Sequence, residues 1–126
     1  MSFEWHGDEY MARLHRHLEG NLTAAAIHLT NRIVTVIGVD GREDGPSDPW
    51  TPPRKQRGDL RRSIGYSQPA ALRRHVGSGK GDGNADPGYA IYLEFGTRKM
   101  LPRPYLRPTL YKERDQIRKL ILVPMK

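Results

Sequence analysis

The chain contains no cysteine in its 126 residues, which excludes disulfide cross-links and thiolate-ligated metal sites. It has no apolar run near the ~20 residues that cross a bilayer. Its opening residues 1–10 are polar rather than leader-like, so the expected place of synthesis and use is the cytoplasm, or a particle assembled there. Acidic side chains are the minority charge: 14 Asp and Glu stand against 21 Lys and Arg, for a net charge of +7 and a pI of about 10.0. That balance suits a polyanionic partner, although a soluble protein can also simply be basic. A chain of this length is expected to form one domain over residues 1–126. It can bury a modest core but is too small for a roomy enclosed active site.

Apolar periodicity organises the two ends. Over residues 8–37, Met11, Leu14, Leu18, Leu22, Ala25, Leu29, Ile33 and Val36 recur at spacings of three or four, predicting a long amphipathic helix with Asp8 as its N-terminal cap and a bend near Gly20 and Asn21. At ~1.5 Å per residue such a helix is about 45 Å long, more than this chain can cover with its own core, so part of its stripe is expected to meet another subunit. Residues 38–58 contain Gly38, Gly41, Gly45, Pro46, Pro49, Pro52 and Pro53, the composition of a loop or an extended arm. Trp50 within it is either an anchor inserted into a neighbour or a staple onto its own domain.

Residues 60–67 and 71–77 read as a helical turn leading into a strand and then a second strand, split at Gln68 and Pro69. The glycine-rich stretch 77–88 reads as a mobile hairpin loop. Within residues 89–97, Ile91, Leu93 and Phe95 alternate with Tyr92 and Glu94, the period of a strand with one buried face, and Gly96 then permits a sharp reversal. The sheet is thus expected within residues 60–96. Leu106, Leu110, Ile117, Leu120 and Ile121 trace a second helix over 105–122, with Pro108 tolerated in its first turn. The predicted fold is α+β: a long N-terminal and a shorter C-terminal helix packed on a small antiparallel sheet, with an extended arm.

Three apparent chemical motifs fail on spacing. Gly79 and Lys80 evoke a phosphate-binding loop, but Arg74 stands where its first glycine belongs and Gly81 where its hydroxyl residue belongs. Asp82, Asn84 and Asp86 match the first alternating ligands of a calcium loop, yet Pro87 replaces the turn glycine and Leu93 the bidentate carboxylate. His15 and His17 point to different sides of a helix, and His6, His28 and His75 lack ligand-type partners at useful spacing. No local grouping supports nucleophilic or metal-assisted hydrolysis. No catalytic residue, metal or cofactor is assigned, and the chain is expected not to be an enzyme.

Charge placement is more informative. Arg54, Lys55, Arg57, Arg61, Arg62, Arg73, Arg74 and Lys80 face only Asp59 in residues 54–80, so this segment carries a net +7, the charge of the whole chain. Tyr66 is the one aromatic residue interleaved there, which argues against base stacking or sequence readout. Two readings fit: diffuse contact with a phosphate backbone, or bridges to acidic patches on neighbouring subunits.

The segment Tyr89-Ala90-Ile91-Tyr92-Leu93-Glu94-Phe95-Gly96-Thr97, followed by Lys99-Met100-Leu101-Pro102-Arg103-Pro104-Tyr105-Leu106-Arg107-Pro108, closely resembles the signature of the head–tail joining or neck (tail-completion) proteins of lambdoid tailed bacteriophages. A second block, Thr51-Pro52-Pro53 through Gly58-Asp59-Leu60-Arg61-Arg62-Ser63-Ile64, is similar to that family's other pattern. The order and separation of the two blocks also agree. The chain has Arg57-Gly58-Asp59 where the family usually places Thr-Gly before the leucine. The resemblance spans most of residues 8–121.

What the resemblance implies is a structural virion protein: a homo-oligomeric ring in the neck, between head-closure or adaptor proteins and the tail terminator or tube, assembled in the host cytoplasm. Duplex DNA would pass through its lumen, lined by the basic segment. Trp50, Leu60, Tyr89, Tyr92, Glu94, Phe95, Gly96, Thr97, Pro102, Arg103, Pro104 and Arg107 become candidate interface residues. Glu94 is expected to form a charge-assisted pair with Arg103 or Arg107 of its own or an adjacent subunit. The alternative function is a small, basic, sequence-independent nucleic-acid-binding protein.

Overall fold

A computed structural model describes residues 3–38, 48–53, 59–81 and 86–125. Helix α1 (Gly7–Val36) is followed by the short α2 (Asp59–Ser63), strands β1 (Ile64–Ala70) and β2 (Arg73–Ser78), and helices α3 (Ala90–Phe95), α4 (Arg107–Lys112) and α5 (Arg114–Ile121). The α+β architecture is as the periodicity indicates: a long N-terminal helix, shorter C-terminal helices and a small antiparallel sheet.

Helix α1 runs unbroken for 30 residues. His6, not Asp8, occupies its cap position, and no side chain caps it. Its apolar stripe is only partly covered: Ala25, Ala26 and Ile33 are buried, whereas Tyr10, Met11 and Ile27 are about half exposed.

The helical turn α2 feeds directly into β1, as the sequence indicates. Strands β1 and β2 pair from Ile64↔Ser78 to Ser67↔His75, with an irregularity before Ala70↔Arg73, where Pro69 has no N–H to give to the ladder. Ser63 closes the base of this hairpin. Its hydroxyl donates to the Leu60 carbonyl at 2.6 Å and accepts from Ser78 Oγ at 2.8 Å, while its carbonyl accepts the Gly79 N–H.

Ile33 and Ile37 at the end of α1, Leu60, Ile64, Ala90 and Tyr105 form the core cluster, with Leu29, Val34, Val76, Leu93 and Leu106 packed on it. The core therefore lies at the C-terminal end of α1, where the hairpin, α3 and α4 converge.

Two further expectations fail. Residues 90–95 are helix α3, not a strand, and among the described residues the sheet has two strands. The supposed single helix over 105–122 is α4 and α5, parted at Glu113. Pro108 does lie in the first turn of α4. Within the expected arm, residues 39–47 and 54–58 lie outside the described residues, as do 82–85 of the glycine-rich loop. The described part of the arm docks on both sides: Gly38 N–H donates to the Pro53 carbonyl at 2.8 Å, and Trp50 N–H donates to the Pro102 carbonyl at 2.7 Å.

Candidate functional site

The segment from Tyr89 to Pro108 folds as a helix, a tight elbow and the start of a second helix, and one carboxylate ties the three together. Glu94 is 6% exposed. Its Oε2 accepts the backbone N–H groups of Tyr105 (2.8 Å) and Leu106 (2.9 Å), and its Oε1 that of Arg107 (2.9 Å). These N–H groups lie at the start of α4, on its first residue and the two before it, and have no partner within that helix, so an anionic acceptor placed there satisfies them and meets the positive end of the helix dipole. The expected arginine partner is thereby corrected. Glu94 binds the backbone at Arg107, whose guanidinium instead lies 4.4 Å from the centroid of the Phe95 ring.

Tyr105 completes the lock. It is 1% exposed, and its hydroxyl donates to the Ala90 carbonyl at 3.0 Å. Burial, and then the nearby Glu94 carboxylate, hold its phenol well above the ordinary tyrosine range, so it remains a donor. Arg103 N–H donates to the Leu93 carbonyl at 2.6 Å, and Thr97 and Met100 close the elbow between them. Gly96 has φ 79°, and a Cβ there would lie 2.9 Å from the Met100 carbonyl oxygen and from Pro102 Cδ. No side chain fits that position.

Because α3 is a helix, its faces sort differently from those of a strand. Ala90, Leu93 and Glu94 turn inward, while Tyr89, Ile91, Tyr92 and Phe95 fall on one outward arc. These four are 43%, 60%, 53% and 52% exposed, and Leu101 of the elbow is 55% exposed. Ile91 and Phe95, expected to be buried with Leu93, are instead an exposed crest, and Glu94, expected on the outer face, is inside. Arg98, Lys99 and Arg107 around the crest are exposed.

The other candidate interface residues divide likewise. Leu60 is a core residue at 5% exposure. Pro102, Arg103 and Pro104 are half-buried in the elbow, and Thr97 is exposed. Trp50 is 67% exposed and adopts a positive φ of 66°, a conformation uncommon for a bulky side chain. Its backbone docks on the elbow while its indole stays largely in solvent.

The basic segment is not one uniform patch. Arg54, Lys55 and Arg57 lie outside the described residues. Arg62 is ion-paired with Asp59 at 2.5 Å, and Arg61 is half-buried beside it. Arg73 and Lys80 are exposed. Arg74 is structural: its guanidinium donates to the carbonyls of Ala70, Ala71 and Arg73, to the Glu19 carbonyl and to Thr23 Oγ1. It staples the hairpin turn to the middle of α1, so its guanidinium is engaged within the chain.

Two polar latches hold the C-terminal helices on α1. Glu113 sits at the α4–α5 break with its side chain 12% exposed, bonded to His28 Nε2 and Arg32 Nε, each at 2.9 Å. The hydrogen bond to His28, then the bond to and charge of Arg32, hold its carboxyl below the usual range against the opposing effect of burial. Farther along, Asn21 donates to the carbonyls of Ile121 (2.9 Å) and Val123 (3.2 Å), and His17 Nε2 lies 2.6 Å from the same Val123 oxygen. Nothing in the sequence spacing announces either latch.

Among the described residues there is no group of three or more His, Asp or Glu side chains that could hold a metal ion. Asp82 and Asn84 of the apparent calcium loop lie outside them, and Asp86 accepts the Gly88 N–H. An open groove of about 650 Å³ beside β1, lined by Thr30, Ile64, Gly65, Tyr66, Ser67, Gln68 and Gly81, offers no acid–base pair. Among the described residues no helix is long and apolar enough to cross a membrane. No protein-family model matches the chain, and no curated protein or solved structure matches it significantly.

Proposed function

We propose that this chain is a structural subunit of a tailed-phage neck, which acts by joining copies of itself into a ring between the DNA-filled head and the tail. One observation carries the reading. The segment that resembles the neck-protein signature is divided cleanly into an internal lock, Glu94 with Tyr105 and Ala90, and an external crest, Tyr89, Ile91, Tyr92 and Phe95. A rigid elbow displaying large apolar side chains suits a surface completed by another chain, because such side chains carry most of the energy of an interface. The exposed Arg73 and Lys80 of the hairpin region, within a segment of net +7, suit a lumen through which duplex DNA moves, since phosphate contacts are indifferent to sequence. In this reading no bond is made or broken by the protein. Assembly takes place in the host cytoplasm and the finished protein resides in the virion.

Negative-stain microscopy of the purified chain, alone and mixed with its neck neighbours, tests the reading: rings with a central opening are the expected result, and absence of the protein from mature virions refutes it.

A second reading, a free-standing sequence-independent nucleic-acid-binding protein, is favoured by the exposed Arg73 and Lys80. It requires the isolated monomer to bind duplex DNA tightly with a steep salt dependence, whereas a neck subunit binds weakly until assembled.

A further inference from the structure

The crest is not the only exposed aromatic surface. At the opposite end of the molecule Phe3 is 86% exposed, Trp5 78% and Tyr10 54%. They are interleaved with Glu4, Asp8 and Glu9, and no Lys or Arg occurs before Arg13. The Glu4 and Glu9 side chains are 81% and 82% exposed. The two surfaces thus share an apolar character and carry opposite charge: acidic around Trp5, basic around Tyr92.

They cannot satisfy each other within one molecule. The crest is built on Ala90 and Tyr105, which pack against Ile33 and Ile37 at the far end of α1, and at ~1.5 Å per residue the helix separates Trp5 from Ile33 by about 40 Å. Nor does either surface suit a two-fold contact with its own copy. Crest against crest sets Arg98, Lys99 and Arg107 against themselves, and the acidic end against itself sets Glu4, Asp8 and Glu9 together; like charges brought face to face disfavour both. Five half-exposed large side chains leave on the order of 400 Å² of apolar surface, about the largest patch usual on a monomer.

We infer that the acidic aromatic N-terminal segment of one copy, around Trp5, docks on the basic aromatic crest of the next, around Tyr92 and Phe95, forming a head-to-tail contact. This rests on the ring reading and specifies it. A contact between two different surfaces repeats from copy to copy and closes into a ring when its rotation permits. The N-terminal end of α1 then contacts the neighbour, in keeping with the part of its stripe that its own core leaves bare. Trp5 covers Gly7 within its own chain, the ring lying where a Gly7 side chain would project, so the indole is held against the start of the helix as it is presented.

The absence of native cysteine permits a clean test. A Trp5→Cys variant is mixed with a Tyr92→Cys variant under mild oxidation, with Trp5→Cys and Tyr111→Cys as the control pair, Tyr111 being 66% exposed. In parallel, a Glu4→Lys/Asp8→Lys/Glu9→Lys variant and an Arg98→Glu/Lys99→Glu variant are followed by light scattering, alone and mixed. The expected results are a cross-link at least about tenfold more abundant for the Trp5–Tyr92 pair than for the control, loss of self-association in each charge variant alone, and its recovery in the mixture. Recovery on mixing separates a direct contact from a folding defect, since two misfolded chains do not rescue each other. Self-association of the parent chain with neither the cross-link nor the rescue overturns this pairing and leaves the ring reading intact. A parent chain that stays monomeric alone and with its neck neighbours overturns both. Single-stranded DNA bound at the crest and lost in Tyr92→Ala, with no copy-to-copy cross-link, overturns the pairing in favour of a nucleic-acid occupant.

Discussion

Glu94 and Tyr105 hold each other in place: the Glu94 carboxylate accepts the Tyr105 backbone N–H at 2.8 Å, and the Tyr105 hydroxyl returns to the carbonyl of Ala90, one turn before Glu94. The loop between them can be irregular because its two ends are fastened. Replacing Glu94 by Ala strands three backbone donors at the start of α4. The expected cost is about 3 kcal/mol, read as a lower urea midpoint with an unchanged slope. Glu94→Gln keeps an acceptor oxygen and is expected to lose less than half of that. Equal losses in the two variants would show that the lock needs both anionic oxygens of the carboxylate and that a side chain of the same shape with one acceptor does not replace it.

Tyr105→Phe removes one buried donor from the Ala90 carbonyl, which keeps its place in the α3 ladder, at an expected cost of about 1 kcal/mol. Tyr105→Ala also opens a cavity in the core and is expected to cost about 3–5 kcal/mol. A thermal melt of the two variants checks the order.

Glu113 makes stability pH-dependent in a definite direction. Its folded carboxyl is held below its ordinary value of 4.5, so its stabilising contribution is complete above that value and is lost as pH falls through the lower, folded one. Urea midpoints measured from pH 6 to pH 3 are expected to decline more for the parent chain than for Glu113→Gln. Parallel declines would show that the latch is not coupled to the proton.

Arg74 and Arg73 are adjacent and are expected to behave oppositely. Arg74→Ala removes the staple to Glu19 and Thr23 and is expected to cost about 2 kcal/mol, with little change in DNA affinity of the assembled form. Arg73→Ala is expected to leave the melt within about 0.5 kcal/mol, and each phosphate contact it removes reduces the salt slope of DNA binding by about 1. Filter binding across a salt series, beside the melts, separates the two.

The sequence reveals α1, the α2–β1 turn and β2 because each has a long periodic run or clear punctuation around it. The segment over α3 misleads for a geometric reason. Ile91, Leu93 and Phe95 satisfy alternation, but Ile91 and Phe95 are also four apart and so share a helical face; six residues are too few to separate the two periods. The Glu94 lock spans 11 to 13 positions and engages backbone rather than a side chain, so charge pairing pointed to the guanidinium of Arg107 instead of its N–H. The latches at Glu113 and Asn21 join residues 81 to 102 positions apart and leave no trace in local spacing. Helices α4 and α5 read as one because nothing between them breaks the apolar pattern.

The core cluster gathers at one end of α1, while α5 has no fully buried residue and rests on α1 through the half-buried Ile117, Leu120 and Ile121 together with the polar latches. The first half of the long helix is therefore a cantilever, anchored at its far end and braced along its length by a handful of hydrogen bonds. Amide exchange should proceed in a gradient, fastest near Tyr10 and slowest near Ile33, and mechanical load applied near Tyr10 would work on the α5 contacts before it disturbed the Ile33–Tyr105 anchorage.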